Sequence, residues 1–135
     1  MIYPADLKYT RNDEWVRAAP TPTEPGQVAT AGITDYAQEA LSDIVYVELP
    51  PVGDSFKQGA AYTSVESVKA AAEVYLPVGG TITAVNTALT TTPELLNSDP
   101  YGAGWLAKFT LADAAELAGL MDAAAYEAYC EERKQ

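Results

Sequence analysis

The hydrophobic pattern of the chain is mostly short-ranged and of period two, which predicts strands. Leu7 to Ala18 reads as strand, turn and strand, with Arg11-Asn12-Asp13 as the turn. Val28 to Ile33 resumes a strand. Ile44 to Leu49 alternates, which predicts Ile44, Tyr46 and Glu48 on one face and Val45, Val47 and Leu49 on the other, strongly apolar one. Strand-like segments follow to about residue 90, punctuated by Pro50-Pro51, Gly53, Gly59, Pro77 and Gly79-Gly80. Trp105 to Leu111 is a further strand. Residues 19–26, with Pro20, Pro22 and Pro25, have few backbone donors for a ladder and read as an exposed hairpin tip.

A few windows switch to helical grammar. Thr34 to Leu41 predicts a short helix, with Thr34 or Asp35 as cap and Gln38 three residues after Asp35 in capping-box position. Thr92-Pro93-Glu94 predicts another start, with Thr as N-cap and Pro at the first helical position. Asp113 and Glu116 repeat the capping-box spacing. From Asp122 an Ala-rich stretch places Tyr126, Tyr129 and Cys130 on one helical face, with Arg133 and Lys134 where a helix C-terminus favours cations. The expectation is one domain over residues 1–135, β-rich, with small helices and a C-terminal helical tail over about 113–133.

Two stretches resemble each other. Val47-Glu48-Leu49-Pro50-Pro51-Val52-Gly53 matches Val74-Tyr75-Leu76-Pro77-Val78-Gly79-Gly80, an offset of 27 residues. The same offset relates Gly59 to Asn86, both tolerant of a left-handed turn, and Tyr62 to Leu89. Two copies predict similar strand-turn-strand halves packed together rather than a solenoid. Between them, Tyr62 to Ser67 and Ala71 to Leu76 suit two antiparallel strands. Ser67-Val68-Lys69-Ala70 then becomes their connection, with Lys69 at or beside its tip. The turn lacks the Asn-Gly or Asp-Gly of a tight hairpin, and the small residues Ser67, Ala70, Ala71 and Ala72 leave the lysine accessible.

Composition narrows the chemistry. The chain has no histidine and one cysteine, Cys130. Cysteine–histidine zinc sites, an imidazole base and an internal disulfide are therefore excluded. Acidic residues outnumber basic ones 19 to 8, for a net charge of −11, which repels nucleic-acid phosphates and anionic membranes and suits partners with basic patches. No apolar run is long enough to span a bilayer. The first residues, Met1-Ile2-Tyr3-Pro4, lack the features of a signal or transit peptide, which points to the cytoplasm of a bacterium, although a mature organellar chain would read the same.

Glu66-Ser67-Val68-Lys69-Ala70 resembles the lipoylation hairpin of the H proteins of the glycine cleavage system. The resemblance continues through Glu14-Trp15-Val16, Gly32-Ile33-Thr34-Asp35-Tyr36-Ala37-Gln38, the run Leu41 to Pro50, Pro93 to Asn97 and Asp99 to Leu106, in family order, from about residue 5 to 130. It implies a mainly β, lipoyl/biotinyl-type hybrid β-sandwich (a barrel-sandwich hybrid) with lipoate in amide linkage to Lys69. It also implies a carrier rather than an enzyme. Glu66, Ser67, Val68 and Ala70 would be the hairpin that a lipoate ligase or lipoyl/octanoyl transferase recognises. The implied partners are the pyridoxal-phosphate glycine decarboxylase (P protein), the tetrahydrofolate-dependent aminomethyltransferase (T protein) and dihydrolipoamide dehydrogenase (L protein). The resemblance further implies that a loaded arm retracts into a cleft, where Glu14 and Glu73 are the matching carboxylates.

Related carriers fit less well. Biotinyl hairpins place methionines beside the lysine, where this chain has Val68 and Ala70. Lipoyl domains of 2-oxo-acid dehydrogenases commonly have Asp before the lysine and lack the flanking blocks. An H-like protein that mainly donates lipoyl groups would use the same Lys69. The chain departs from the family pattern at Asp13 and Tyr36, where histidine occurs in members of the family, and at the Pro-rich 19–26 stretch. Trp15 and Trp105 read as core anchors.

Overall fold

The computed structural model describes residues 1–18 and 27–133. The 19–26 stretch, expected to be a hairpin tip, and Lys134 lie outside the described residues. The strands are β1 (Lys8–Tyr9), β2 (Glu14–Arg17), β3 (Val28–Ile33), β4 (Ile44–Glu48), β5 (Ser55–Phe56), β6 (Ala61–Ser67), β7 (Ala71–Tyr75), β8 (Gly80–Val85) and β9 (Ala107–Leu111). They form a larger sheet in the order β1-β2-β3-β9-β8-β5 and a smaller one in the order β4-β6-β7. Every pairing is antiparallel. Helices α1 (Asp35–Leu41), α2 (Leu95–Ser98) and α3 (Ala123–Arg133) complete the architecture with 3-10 turns at Thr87–Thr90 and Ala114–Gly119. This is the mainly β sandwich with short helices and a C-terminal helix that the sequence predicts.

Side chains of both sheets meet in one core, including Val16, Ala31 and Phe109 from the larger sheet and Val47, Val65 and Val74 from the smaller. Each fully buried Val, Leu or Phe contributes about 1.5–3 kcal/mol by leaving water. A second, aromatic cluster of Leu7, Tyr9, Trp15, Tyr126 and Cys130 fastens α3 to the first hairpin. There the rings of Tyr9 and Tyr126 stack at 4.6 Å. Trp15 is fully buried and its Nε1 donates to the Pro100 carbonyl at 3.0 Å. Its ring lies over Gly32, its cross-strand partner, where a Cβ would come within 2.8 Å. Trp105 is half-buried and packs against the same cluster.

The repeat has a structural counterpart. Val47 on β4 and Val74 on β7 flank β6 in the smaller sheet, and the strands that follow each of them, β5 and β8, pair in the larger sheet. Tyr62 and Leu89 are both buried. The glycine correspondence is only partial. Gly59 has φ +82, but Asn86 has φ −83 and uses its side chain instead, donating to the carbonyls of Ala103 and Trp105 at 2.7 and 2.8 Å.

Local expectations fail where other groups compete. The alternation of β4 is broken by a bulge between Ile44 and Tyr46, so Ile44 and Val47 are buried while Val45 and Tyr46 are exposed. A bulge adds one residue and reverses the facing of the residues beyond it. Thr34, not Asp35, caps α1 by accepting from Ala37 N at 3.2 Å, and Gln38 donates to the Asp35 carboxylate at 2.7 Å. Thr92 does not cap α2. Its carbonyl closes a tight i+3 turn with Leu95 N at 3.2 Å, and helical bonding begins at Glu94. Asp113 caps its turn by accepting from Ala115 N, whereas Glu116 reaches across to Gly79 N at 2.8 Å.

Candidate functional site

β6 and β7 form a hairpin in register, with Glu66 opposite Ala71 and Ser64 opposite Glu73. Ser67 builds its tip. Its hydroxyl donates to the Ala70 carbonyl at 3.1 Å and accepts from the amides of Ala70 at 2.9 Å and Lys69 at 3.2 Å. Its own amide donates to the Ala70 carbonyl at 2.7 Å. One side chain thus satisfies the backbone of a turn that has no glycine. Val68 N donates to the Asp43 carbonyl at 3.0 Å, tying the tip to the start of β4. Val68, Lys69 and Ala70 are exposed, Val68 by 69%. Glu66 is exposed on β6, opposite Tyr46 of β4.

The Lys69 ammonium donates to the Ala40 carbonyl at 3.3 Å. That carbonyl belongs to the last turn of α1, where helix carbonyls lack helical partners and attract cations. Ala40 lies on the lip of a cleft of about 200 Å³. Its walls are the β2 approach (Asn12, Asp13, Glu14), α1 (Ala37, Ala40, Leu41) and the hairpin itself (Val65, Ala72, Glu73, Val74). Short side chains on α1 and β7 make this space: a larger residue at Ala37, Ala40 or Ala72 would fill it.

Glu14 is only 2% exposed. One carboxylate oxygen accepts from the Thr10 hydroxyl at 2.6 Å and the other from Tyr75 N at 2.9 Å. The Thr10 hydroxyl in turn accepts from Asn12 N and Glu14 N, so its proton is committed to Glu14. Burial pushes the Glu14 carboxyl up to about 7. The bonds from Thr10 and Tyr75 oppose that rise, and the nearby Asp13 carboxylate adds to it. The result is an acid poised to ionise fully when a cation reaches it. Glu73 is different. It borders the cleft, but its register with Ser64 sets it on the outward side of the sheet, where it is exposed and also borders a groove with Glu48 and Ser64.

The structure therefore sets Glu14 in the cleft and Lys69 beside it through the Ala40 carbonyl, with Glu66, Ser67, Val68 and Ala70 around the lysine, while Glu73 borders the cleft but is set towards the outer side of the sheet. Sequence reasoning missed the supports: Thr10 beneath Glu14, the Ala40 carbonyl beneath Lys69, and Asn97. Asn97 joins α1 to β4 by donating to Ser42 O at 2.8 Å and Gln38 Oε1 at 3.0 Å and accepting from Ile44 N at 2.9 Å. Ser42, at φ +69, is a non-glycine residue in an unusual backbone conformation that this bonding supports, but nothing in the sequence announces it. Among the described residues no cluster of three or more Cys, Asp or Glu could hold a metal ion, and no helix is long and apolar enough to cross a membrane.

Comparison with known proteins decides the family. Residues 7–133 match the family model described as glycine cleavage H-protein. The chain belongs to the glycine cleavage H-protein family. It is 50% identical to the glycine cleavage system H protein of Acidobacterium capsulatum over 132 residues, covering 98% of this chain and 97% of that protein. It is 47% identical to the one from Symbiobacterium thermophilum, covering 96% of each chain. The fold resembles the crystal structure of a glycine cleavage system H protein from Mycobacterium marinum, with TM-score 0.80, 35% identity and coverage of 98% of this chain and 99% of that one. The hairpin and cleft are thus features of a glycine cleavage H-protein.

Proposed function

We propose that the chain is a single lipoyl-carrier unit over residues 1–135, with lipoate in amide linkage to Lys69. The observation that carries this reading is the exposed Lys69 at a hairpin tip, its amine on the lip of a cleft that ends at a buried acid. The residues present suit the group. Ile33, Ala37, Leu41, Val65, Ala72 and Val74 offer an apolar path for an aliphatic chain, and Glu14 offers an anion at its end. Bound lipoate would supply a disulfide able to take up the aminomethyl group of glycine, with carbon dioxide released, at the decarboxylase (P protein), to pass its carbon to tetrahydrofolate, with ammonia released, at the aminomethyltransferase (T protein), and to be regenerated from the resulting dithiol by dihydrolipoamide dehydrogenase (L protein).

The protein's own residues then have three tasks. The Ser67 turn presents Lys69 to the attaching ligase or transferase and, afterwards, to each enzyme. Modification removes the lysine charge, and with it the attraction to the Ala40 carbonyl, so the arm swings freely. The cleft receives the returning arm, where Glu14, with Glu73 at the rim, meets its ammonium in a charge-assisted hydrogen bond that excludes water. The chain catalyses none of the steps. Tethering raises the arm's local concentration at each partner. Its relatives from Acidobacterium capsulatum and Symbiobacterium thermophilum are bacterial proteins, which supports a bacterial cytoplasmic location.

The test is exchange of labelled bicarbonate into the carboxyl of glycine, with lipoylated protein and the decarboxylase. Exchange that depends on this chain, and is absent with Lys69→Arg, supports glycine cleavage. Lipoylation without exchange, but with transfer of lipoyl groups to other acceptors, would replace this reading with that of a lipoyl donor.

A further inference from the structure

The two cleft walls that do not belong to the lysine hairpin are joined from behind by one side chain. Arg133, in the last turn of α3, donates from Nη1 to Asp13 Oδ2 at 3.0 Å and from Nη2 to Asp13 Oδ1 at 2.5 Å. The Tyr126 hydroxyl donates to the same Oδ1 at 2.8 Å. The guanidinium carbon lies 4.0 Å from the ring centre of Tyr36 on α1 and 4.0 Å from that of Tyr129 on α3. Tyr129 donates its hydroxyl to the Arg11 carbonyl at 3.0 Å. A planar cation within 4.0 Å of two ring centres while forked onto a carboxylate is a set of contacts that arginine makes and lysine does not. Asp13 and Tyr36 are thus both partners of Arg133. Arg133 itself is not part of the cleft lining, whereas Asp13 and Ala37, beside Tyr36, are.

We infer that Arg133 is a positioning residue of the cleft: it pins the Asp13 turn to α1 and takes up the Asp13 charge, leaving Glu14 as the inner acid that meets a cationic cargo. The inference rests on the proposed role of the cleft as the shelter of a loaded arm. Asp13 has φ +66, an unusual backbone for a non-glycine residue, and Glu14 follows it directly in β2. The Asp13 carbonyl accepts from Thr34 N at 3.0 Å, so the turn, the α1 cap and α3 form one unit. Without the guanidinium, Asp13 would keep one donor, Tyr126, and stand as an unpaired anion beside Glu14. It would raise the proton affinity of Glu14 and offer the cargo a wetter resting place at the rim. The groups facing Glu14 are Asp13, Thr10, the Tyr75 amide and Tyr62; Glu73, also on the cleft border, is set towards the outer side of the sheet.

The test compares full-length wild type with Arg133→Met, Arg133→Lys and Asp13→Asn. Melting and circular dichroism check folding. In unlipoylated protein, the Glu14 carboxyl is titrated by carbon NMR; its midpoint is expected to move upward in R133M and back towards wild type in R133K, which keeps the charge. In lipoylated, glycine-loaded protein, spontaneous release of formaldehyde and ammonia is expected to be about fivefold faster in R133M, the scale of coupling between contacting groups, and intermediate in R133K. An unchanged midpoint and unchanged release in folded R133M would overturn the inference. If R133M does not fold, R133K and D13N decide: a Glu14 midpoint raised in R133K but not in D13N, which lacks the Asp13 charge, supports the role of the pair, and a wild-type midpoint and wild-type release in R133K overturn it. Release from wild type as fast as from a free lipoamide adduct would instead sink the sheltering role, while the Glu14 titration would still judge Arg133.

Discussion

The Lys69 tip and the Glu14 wall sit on the same cleft but are built in opposite ways. At the tip, Val68, Lys69 and Ala70 are exposed, the neighbouring side chains are small, and one hydroxyl, that of Ser67, organises the turn. At the wall, Glu14 is buried, bonded through both oxygens, flanked by the buried Trp15, and backed by α3 through Asp13. A group that several enzymes must reach needs access and loses little by exposure. A group that must hold a cation away from water needs fixed donors and a low dielectric, so it draws rigidity from elements far away in sequence. The same substitution chemistry should therefore have large stability effects at the wall and small ones at the tip.

The largest expected effect is at the wall's foundation. Trp15→Ala removes a fully buried indole and its bond to Pro100, and should cost about 3–5 kcal/mol in denaturant unfolding. A loss below about 1 kcal/mol would mean the wall is not a packed element.

Glu14→Gln comes next, and its sign depends on pH. The folded-state value of about 7 lies above the ordinary 4.5, so the folded protein keeps a proton that the unfolded chain has released. That contribution is complete below about pH 4.5 and is lost as pH rises through 7, amounting to about 3 kcal/mol. Gln carries no such cost but sacrifices one accepted hydrogen bond, worth about 1 kcal/mol. E14Q should therefore be about 2 kcal/mol more stable than wild type at about pH 8, and the difference should vanish or reverse near pH 4.5. Urea unfolding at the two pH values checks this. Equal pH dependence in both proteins would show that Glu14 is not a buried, proton-retaining acid. The same substitution should abolish protection of the loaded arm.

The tip should yield less. Ser67→Ala removes the hydroxyl that the Lys69 and Ala70 amides use, and should cost about 1 kcal/mol while slowing lipoylation. Lys69→Arg should leave the melting temperature unchanged within error, because only an exposed contact to Ala40 is altered.

The contrast also explains how much was legible in the sequence. The tip was legible because its parts are local: strands on either side and small residues around a lysine, although the part Ser67 plays in closing the turn emerged only in the fold. β3 and the hairpin strands fall within a residue of the expected bounds for the same reason. The family resemblance supplied Glu14, but not why it is held. Thr10 is four residues away and Tyr75 is 61 away, and neither contact leaves a pattern in a single sequence. The β4 bulge was invisible because alternation counts residues, and an inserted residue shifts the phase without changing composition. Glu116 and Gln38 carried capping-box spacing, yet each found a better partner in the folded chain. Asp13 and Tyr36 looked like isolated departures in sequence; in space they share Arg133.

The most direct test of the carrier role is the intact mass of the protein after incubation with a lipoate ligase, ATP and lipoate, beside a Lys69→Arg control. A single lipoyl adduct on the wild type, mapped to the peptide containing Lys69 and absent from the control, is the expected result. A correctly folded wild-type protein that gains no adduct, or that gains one still present in Lys69→Arg, would contradict it.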